Sequence, residues 1–325
     1  MEGRTIKDRV YGTMTIDASV LIELIDSSPI QRLKGISQFG LPDELYHKNG
    51  FSRYDHSIGV LILLKILGAS EEEQIAGLLH DVSHTAFSHI VDWVIGDGRS
   101  EDFQDDQYET FVAKTRVPQI LATHGHAMER INDIGAFPLL EQPAPALCAD
   151  RIDYTLRESP AVIVERCLPA LAVHEKRIVF TDPDVARLFA RQYASLQREH
   201  WAGLEAVSRY RIFSDLLRKA LDRRIISFED LWQDDAFVLK KLTAAQDPEI
   251  AYTLDVLRKR SLQDIPFSDE TMVKKFRTID PDILVDGRVI KLTSIDDAYG
   301  REVEAARQEN AKGVRIKIPV FRGPR

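Results

Sequence analysis

Apolar positions recur at helical spacing along most of the chain up to about Arg260 and at strand-like spacing after it. Before the first helix, residues 4–16 (RTIKDRVYGTMTI) read as extended, with a turn at Tyr11-Gly12. A helix is predicted from Asp17 through VLIELID, and a second from Ser28-Pro29 through IQRLKGIS, proline being tolerated in a first turn. Gly40, Pro42 and the polar HKNG at 47–50 predict a loop. Ser52 then caps a helix running to about Leu67, and Glu71-Glu72-Glu73 suits the positive end of the next, QIAGLLHD. A further helix, FSHIVDWVI, stops at Gly96-Asp97-Gly98. Residues 97–108 (DGRSEDFQDDQY) lack periodicity and read as a solvated loop, with a cover over a pocket as the alternative.

Helical patterns resume through ETFVAKT and PQILATHGHAMERIND and, after a Pro-containing loop at 137–145, through ALCADRIDYTLRE. A short extended KRIVF precedes one long amphipathic helix at about 183–220. The tail changes character: TMVKKFRTI, DILVDGRVIKL and GVRIKIPVFR predict strands, with Asp286-Gly287 as a hairpin turn. The expected fold is mainly α, a helical core over 1–262 with a small α+β extension over 263–325.

At 325 residues, 44% hydrophobic and 29% charged, the chain can bury a substantial core and has ordinary globular composition. A formal charge of -8 argues against a protein that lives on nucleic acid, whereas a few local cations suffice for a small anionic substrate. The two cysteines, Cys148 and Cys167, form no CxxC pair, so no disulfide framework is expected and a reducing cytoplasm is the natural compartment. The first residues lack the apolar stretch of a secretory signal, and no apolar run approaches a membrane span.

Chemistry concentrates between Phe51 and Asp92, where Arg53, His56, His80, Asp81, His84, His89 and Asp92 sit among apolar residues, with four of the chain's nine histidines. His56 and His80 are separated by a helix, a turn and a second helix, which can bring the two imidazoles together. Adjacent His80 and Asp81 point about 100° apart on a helix, so both reach one ion only near a helix end. With Asp150 from a separate helix, two imidazoles and two carboxylates suit one divalent metal ion: manganese, iron, magnesium, nickel or zinc. The bland alternative is a set of core histidines and helix caps. His84, one turn beyond His80, can face a substrate and protonate a leaving oxygen, with Asp92 as the carboxylate that sets its tautomer. Arg53 and Arg151 flank the ligands as anion clamps, and Asp150, Tyr154 and Glu158 form a stripe suited to a sugar.

RYDHSIGV, LLHDVSHTAFSH and ADRIDYTLRE, in that order, resemble the HD-domain superfamily in its deoxynucleoside triphosphate triphosphohydrolase branch, as does the upstream SPIQRLKGISQFG. The resemblance implies an HD-domain helical core with His56, His80, Asp81 and Asp150 as metal ligands and His84 as the catalytic histidine partnered by Asp92. It implies Arg53, His89 and Arg151 on the phosphates, Gln38 at the sugar 3′-hydroxyl and Tyr154 beside the sugar. The implied reaction releases nucleoside and tripolyphosphate from a nucleotide, in a homo-oligomer. The chain departs from the family where a His-Glu pair is common, carrying Tyr108-Glu109, and where histidines follow the third motif, carrying Ser159-Pro160. Gln197 and Trp201 stand where the family tends to have histidine and tyrosine. The metal and phosphate half reads as intact and the sugar and base half as rewritten. A phosphatase for a nucleoside monophosphate or an unusual nucleotide, and a non-catalytic metal- and nucleotide-binding sensor, are therefore the alternatives. His124 and His126 read as a helix-end pair in solvent. Lys274, Lys275, Arg277, Lys312, Arg315 and Lys317 read as a solvated face, with an allosteric nucleotide site or a subunit contact as the alternative.

Overall fold

The computed structural model describes residues 3–96, 98 and 101–323. The chain opens on a hairpin of β1 (Arg4–Asp8) and β2 (Gly12–Ile16), paired from Arg4↔Ile16 to Asp8↔Gly12. Asp8 Oδ1 closes its turn by accepting the Val10 and Tyr11 amides. Short helices α1 (Ser19–Asp26) and α2 (Ser28–Arg32) lead to α3 (Arg53–Ile66), the spine of the fold. Ser52 and Asp55 form a reciprocal capping box at its start, and Ile58 to Leu64 are buried on every face, so α3 sits inside the molecule. Helix α4 (Glu71–Leu79), capped by Ser70, packs along α3 most closely at Gly77, where a Cβ would meet Leu64 Cδ1 at 2.3 Å.

Next come α5 (Ile90–Ile95), α6 (Phe103–Ala113), α7 (Val117–Thr123), α8 (Met128–Asn132), α9 (Ala149–Glu158) and α10 (Ala161–Cys167). The acidic stretch expected to be a loop is thus helical from Phe103 onward, a correction with a tertiary cause. Tyr108 and Val112 are buried, and Phe103 and Phe111 pack against Trp232, a partner far along the chain. Residues 97, 99 and 100 of that stretch lie outside the described residues. A hairpin of β3 (Leu171–His174) and β4 (Arg177–Phe180) precedes α11 (Pro183–Leu196) and α12 (Leu204–Asp222). These two were expected as one helix; a five-residue π-turn over Gln197–Trp201 divides them and brings His200 and Trp201 inward.

Helices α13 (Asp235–Ala244) and α14 (Pro248–Leu257) complete the helical part. In the tail, β5 (Phe267–Met272) pairs with β8 (Val314–Lys317), while β6 (Asp282–Val285) and β7 (Arg288–Lys291) form the expected hairpin at Asp286-Gly287, both at positive φ. Strand β6 also pairs in parallel with β4, at Val179↔Asp282 and Phe180↔Ile283, and α15 (Asp297–Lys312) precedes β8. The fold is mainly α, as expected. No helix among the described residues is long and apolar enough to cross a membrane. One apolar cluster gathers around α1, α3, α4, α9 and α11, and a second around α5, α12, α13 and α14.

Asp235 ties these halves together. Its two carboxylate oxygens accept the Ser37 and Phe87 amides at 2.9 and 2.7 Å. Burial pushes this carboxyl up to about 7, against the pull of both amides. An unfolded Asp releases its proton near pH ~4, so the native state is the one that holds the proton between there and neutrality. Its contribution to stability is therefore lost as pH rises through that window. Asp235→Asn is expected to flatten this slope in urea midpoints followed from acid to neutral pH. Asp235→Ala is expected to cost about 2–4 kcal/mol, because two buried amides lose their acceptor.

Candidate metal centre

The predicted ligands converge where the end of α4 meets the first turns of α3 and α9. His56 Nε2 lies 2.9 Å from Asp150 Oδ1, 3.3 Å from His80 Nε2 and 3.8 Å from Asp81 Oδ2. His80 Nε2 lies 3.5 Å from Asp81 Oδ1 and 3.7 Å from Asp150 Oδ1. Helix α4 stops at Leu79 with His80, still in right-handed helical geometry, as its C-cap, so His80 and Asp81 stand at a helix end where both can reach the same point.

The tautomers test whether a cation fits. His80 Nδ1 is 2.7 Å from Gly77 O, which only accepts, so Nδ1 carries the proton. His56 Nδ1 is 2.7 Å from Asp153 Oδ2, and that oxygen also accepts from Arg157 Nε at 2.7 Å. Nδ1 is again the donor. In their neutral forms both imidazoles would aim bare Nε2 lone pairs at each other and toward the carboxylates, and without a cation a proton takes that place. The ligand atoms of His56, His80 and Asp81 all lie within 4.8 Å of one another, with Asp150 beside both imidazoles, and electron-pair donors so placed are stable around a cation. The pKa directions carry the same message. Burial pulls His80 down, yet Asp81 and Asp150 outweigh it and hold it up at about 9; His56 is raised by Asp150 and Asp153 against its burial. Burial would raise Asp81 and Asp150, but Arg53 and the imidazoles keep both well below the usual range. The donor set fits a divalent ion.

Asp153, which sequence reasoning missed, orients His56 as part of a buried chain: Arg157 bridges Asp153 to Asp8 Oδ2, with Nη2 at 2.7 Å. Its signal was its place one turn after Asp150, with Arg157 four residues on.

Arg53 points Nη1 at Asp81 Oδ2 (2.8 Å) and Nε at Ser88 Oγ (3.0 Å). Phe87 and Ser88 hold left-handed φ values of 65° and 50°, which turn the chain sharply between His84 and His89. His84 Nε2 sits 3.3 Å from Asp81 Oδ1, and its ring meets that of His89 edge-on at 4.8 Å. Asp92, expected to partner His84, lies instead 3.4 Å from His89 Nδ1 and accepts the Phe103 amide at 3.0 Å. Burial and then Arg53 push His84 down to about 3, against Asp81, leaving it neutral.

These groups line one end of a cavity of about 810 Å³ at the seam between the two apolar clusters. Gln38 lines it too, its buried Oε1 without a hydrogen-bond partner. Arg151 is on the wall, but its guanidinium is held by Glu141 Oε1 (2.9 Å) and the Gln142 and Ala146 carbonyls. Tyr154 OH meets Tyr193 OH at 2.7 Å. Both oxygens of Glu158 are engaged, by His200 Nδ1 at 2.5 Å and Trp201 Nε1 at 2.7 Å. Phe39, Tyr46, Tyr154 and Trp201 also line the cavity, the Tyr154 ring lying 6.3 Å from that of His56 and 5.2 Å from that of Trp201. His200 and the Tyr46 hydroxyl 3.0 Å from it were missed because the π-turn that delivers His200 leaves no trace in periodicity. His124 and His126 pair with Glu23 (2.9 Å) and Glu71 (3.0 Å) rather than standing in solvent. The basic tail is not a uniform solvated face either: Lys274 and Lys317 are buried, and Lys274 to Arg277 line the cavity.

The HD domain family model matches residues 53–158, which contain the whole cluster. The uncharacterized protein YdhJ of Bacillus subtilis is 39% identical over 96% of this chain and 98% of its own length. The metal-dependent phosphohydrolase cns2 of Cordyceps militaris is 30% identical over 86% of this chain and 84% of its own. Human deoxynucleoside triphosphate triphosphohydrolase SAMHD1 is 30% identical over 43% of this chain, which spans 22% of that protein. With the likeness to cns2 over most of both chains, and with His56, His80 and Asp81 close enough to hold an ion, the chain belongs to the HD-domain metal-dependent phosphohydrolases.

Proposed function

We propose that the protein hydrolyses a (deoxy)nucleoside triphosphate to nucleoside and tripolyphosphate. The observation carrying this reading is a single cavity lined both by the candidate metal ligands, imidazoles and Arg53 and by aromatic side chains. Its volume suits a small organic ligand. When bound, the ion would lower the pKa of water and polarise a phosphoryl oxygen. His56, His80, Asp81 and Asp150 would hold it. Arg53, already fixed by Asp81 and Ser88, would offset charge on the phosphoryl group, with His89 beside it. Burial and Arg53 keep His84 neutral. An arriving phosphate counters Arg53 and supplies negative charge, which raises the imidazole and lets it protonate the leaving oxygen. Asp92 would act on His84 through His89, and Gln38 and Tyr154 would face the sugar. Glu158 would act indirectly, by fixing Trp201 and His200. Arg151 would reach a phosphate only by leaving Glu141.

Incubation with manganese and a nucleotide panel, with tripolyphosphate resolved from phosphate, tests the reaction. Orthophosphate as the sole inorganic product would replace it with the phosphatase reading. His84→Ala is expected to lower kcat by about 10²–10⁴-fold with metal content unchanged. Nucleotide binding with no product, indifferent to this substitution, would establish a sensor instead.

A further inference from the structure

The segment between β5 and β6 crosses the cavity and brings Lys274 and Arg277 into it. Both pair with Glu101: Lys274 Nζ is 3.0 Å from Oε1, and Arg277 Nη2 is bonded to Oε2. The Glu101 side chain is 1% exposed and that of Lys274 6%. Two cations therefore share one carboxylate inside the same cavity as the metal ligands. Removing three charges from water costs several kcal/mol each, and apolar side chains would fill the volume more stably. The cluster is thus poorly explained as packing.

The backbone that carries the two cations is anchored without Glu101. Asn310 donates to Lys274 O (2.9 Å), Gln197 donates to Lys275 O (3.3 Å), and Tyr299 OH donates to Ile279 O (2.7 Å). The Lys274 ammonium also rests 3.7 Å from the centre of the Tyr210 ring. Glu101, by contrast, is held at a φ of 56°, a left-handed conformation that disfavours a residue with a side chain. A preorganised pair of cations with a strained carboxylate between them has the form of an anion subsite with an internal occupant.

We propose that Lys274 and Arg277 form the subsite for the distal phosphate of a polyphosphate substrate, and that Glu101 is its resident counter-ion, released when that phosphate arrives. The subsite rests on the phosphohydrolase reading of the cavity and narrows it toward substrates with more than one phosphate. It also gives the C-terminal extension a part in substrate choice.

Binding of inorganic tripolyphosphate to the metal-loaded protein, measured by calorimetry, tests the subsite without turnover. Glu101→Gln removes the competing charge and keeps the shape; it is expected to tighten tripolyphosphate by roughly tenfold, the worth of about one charge-assisted hydrogen bond. Arg277→Gln and Lys274→Gln are expected to weaken it by roughly as much, with Arg277→Lys in between. Orthophosphate, which reaches only the metal end, is expected to be indifferent to all four. Unchanged or weakened tripolyphosphate binding in a folded Glu101→Gln protein overturns the subsite. So does an equal shift for orthophosphate, which would reveal a general field effect. Should nucleotide turnover be absent while these binding differences appear, the reaction assignment fails and the subsite stands.

Discussion

His80→Ala is expected to empty the metal site and to lower phosphohydrolase turnover by about 10³-fold or more, since the ion supplies several kcal/mol of transition-state stabilisation. His80 is one of only two nitrogen donors in the cluster, and its Nδ1–H bond to Gly77 O aims Nε2 inward. Without it, His56, Asp81 and Asp150 remain, with two carboxylates sharing one imidazole. Elemental analysis of the purified variant reads the first effect and turnover at saturating metal reads the second. The parent's melting temperature is expected to rise with added metal, since the ion binds the folded chain, and the variant's is not. Stoichiometric metal in His80→Ala would remove this residue from the ligand set.

The second large effect is expected from one methyl group. In Gly59→Ala the new Cβ would stand 1.9 Å from Arg157 Nη2 and 2.1 Å from Asp153 Oδ1. Side chains this long often swing aside, but Arg157 is fixed by Asp8 and Asp153 and by donation from Arg9 to its carbonyl. The Arg157 and Asp153 side chains are 1% and 0% exposed, so there is nowhere to go. Breaking this buried ion-pair chain is expected to destabilise the fold by about 3–5 kcal/mol. The surviving folded protein is expected to bind metal about 10–100-fold more weakly, because Asp153 no longer fixes the His56 ring. Urea unfolding and a metal titration measure the two. Gly77→Ala, whose Cβ meets only the methyl ends of Leu64, Val60 and Leu140, is the control expected to cost less. Equal midpoints for parent and Gly59→Ala would show that α3 and α9 do not depend on this contact.

Local signals carried most of the architecture. The cap at Ser52, the acidic first turn at Glu71-Glu72-Glu73 and the Asp286-Gly287 turn act within a few residues, and the structure reproduces each. The failures share another origin. Helix α6 owes its stability to Phe228 and Trp232, more than a hundred residues away. The π-turn at 197–201 has no periodic signature, and the tail lysines read as surface residues until Glu101 and Tyr210 are placed beside them.

By itself the sequence determined that two imidazoles and two carboxylates lie at helix ends able to meet, because spacing along a helix fixes direction. Only the tertiary structure decided which carboxylate serves which histidine: Asp153 takes His56, Asp92 takes His89, and Glu158 takes His200. It also decided that a tail more than a hundred residues beyond α9 walls the cavity. The reason is physical. Ligand type and helical phase are properties of neighbouring residues, whereas hydrogen-bond partnership and burial of charge depend on which surfaces pack together.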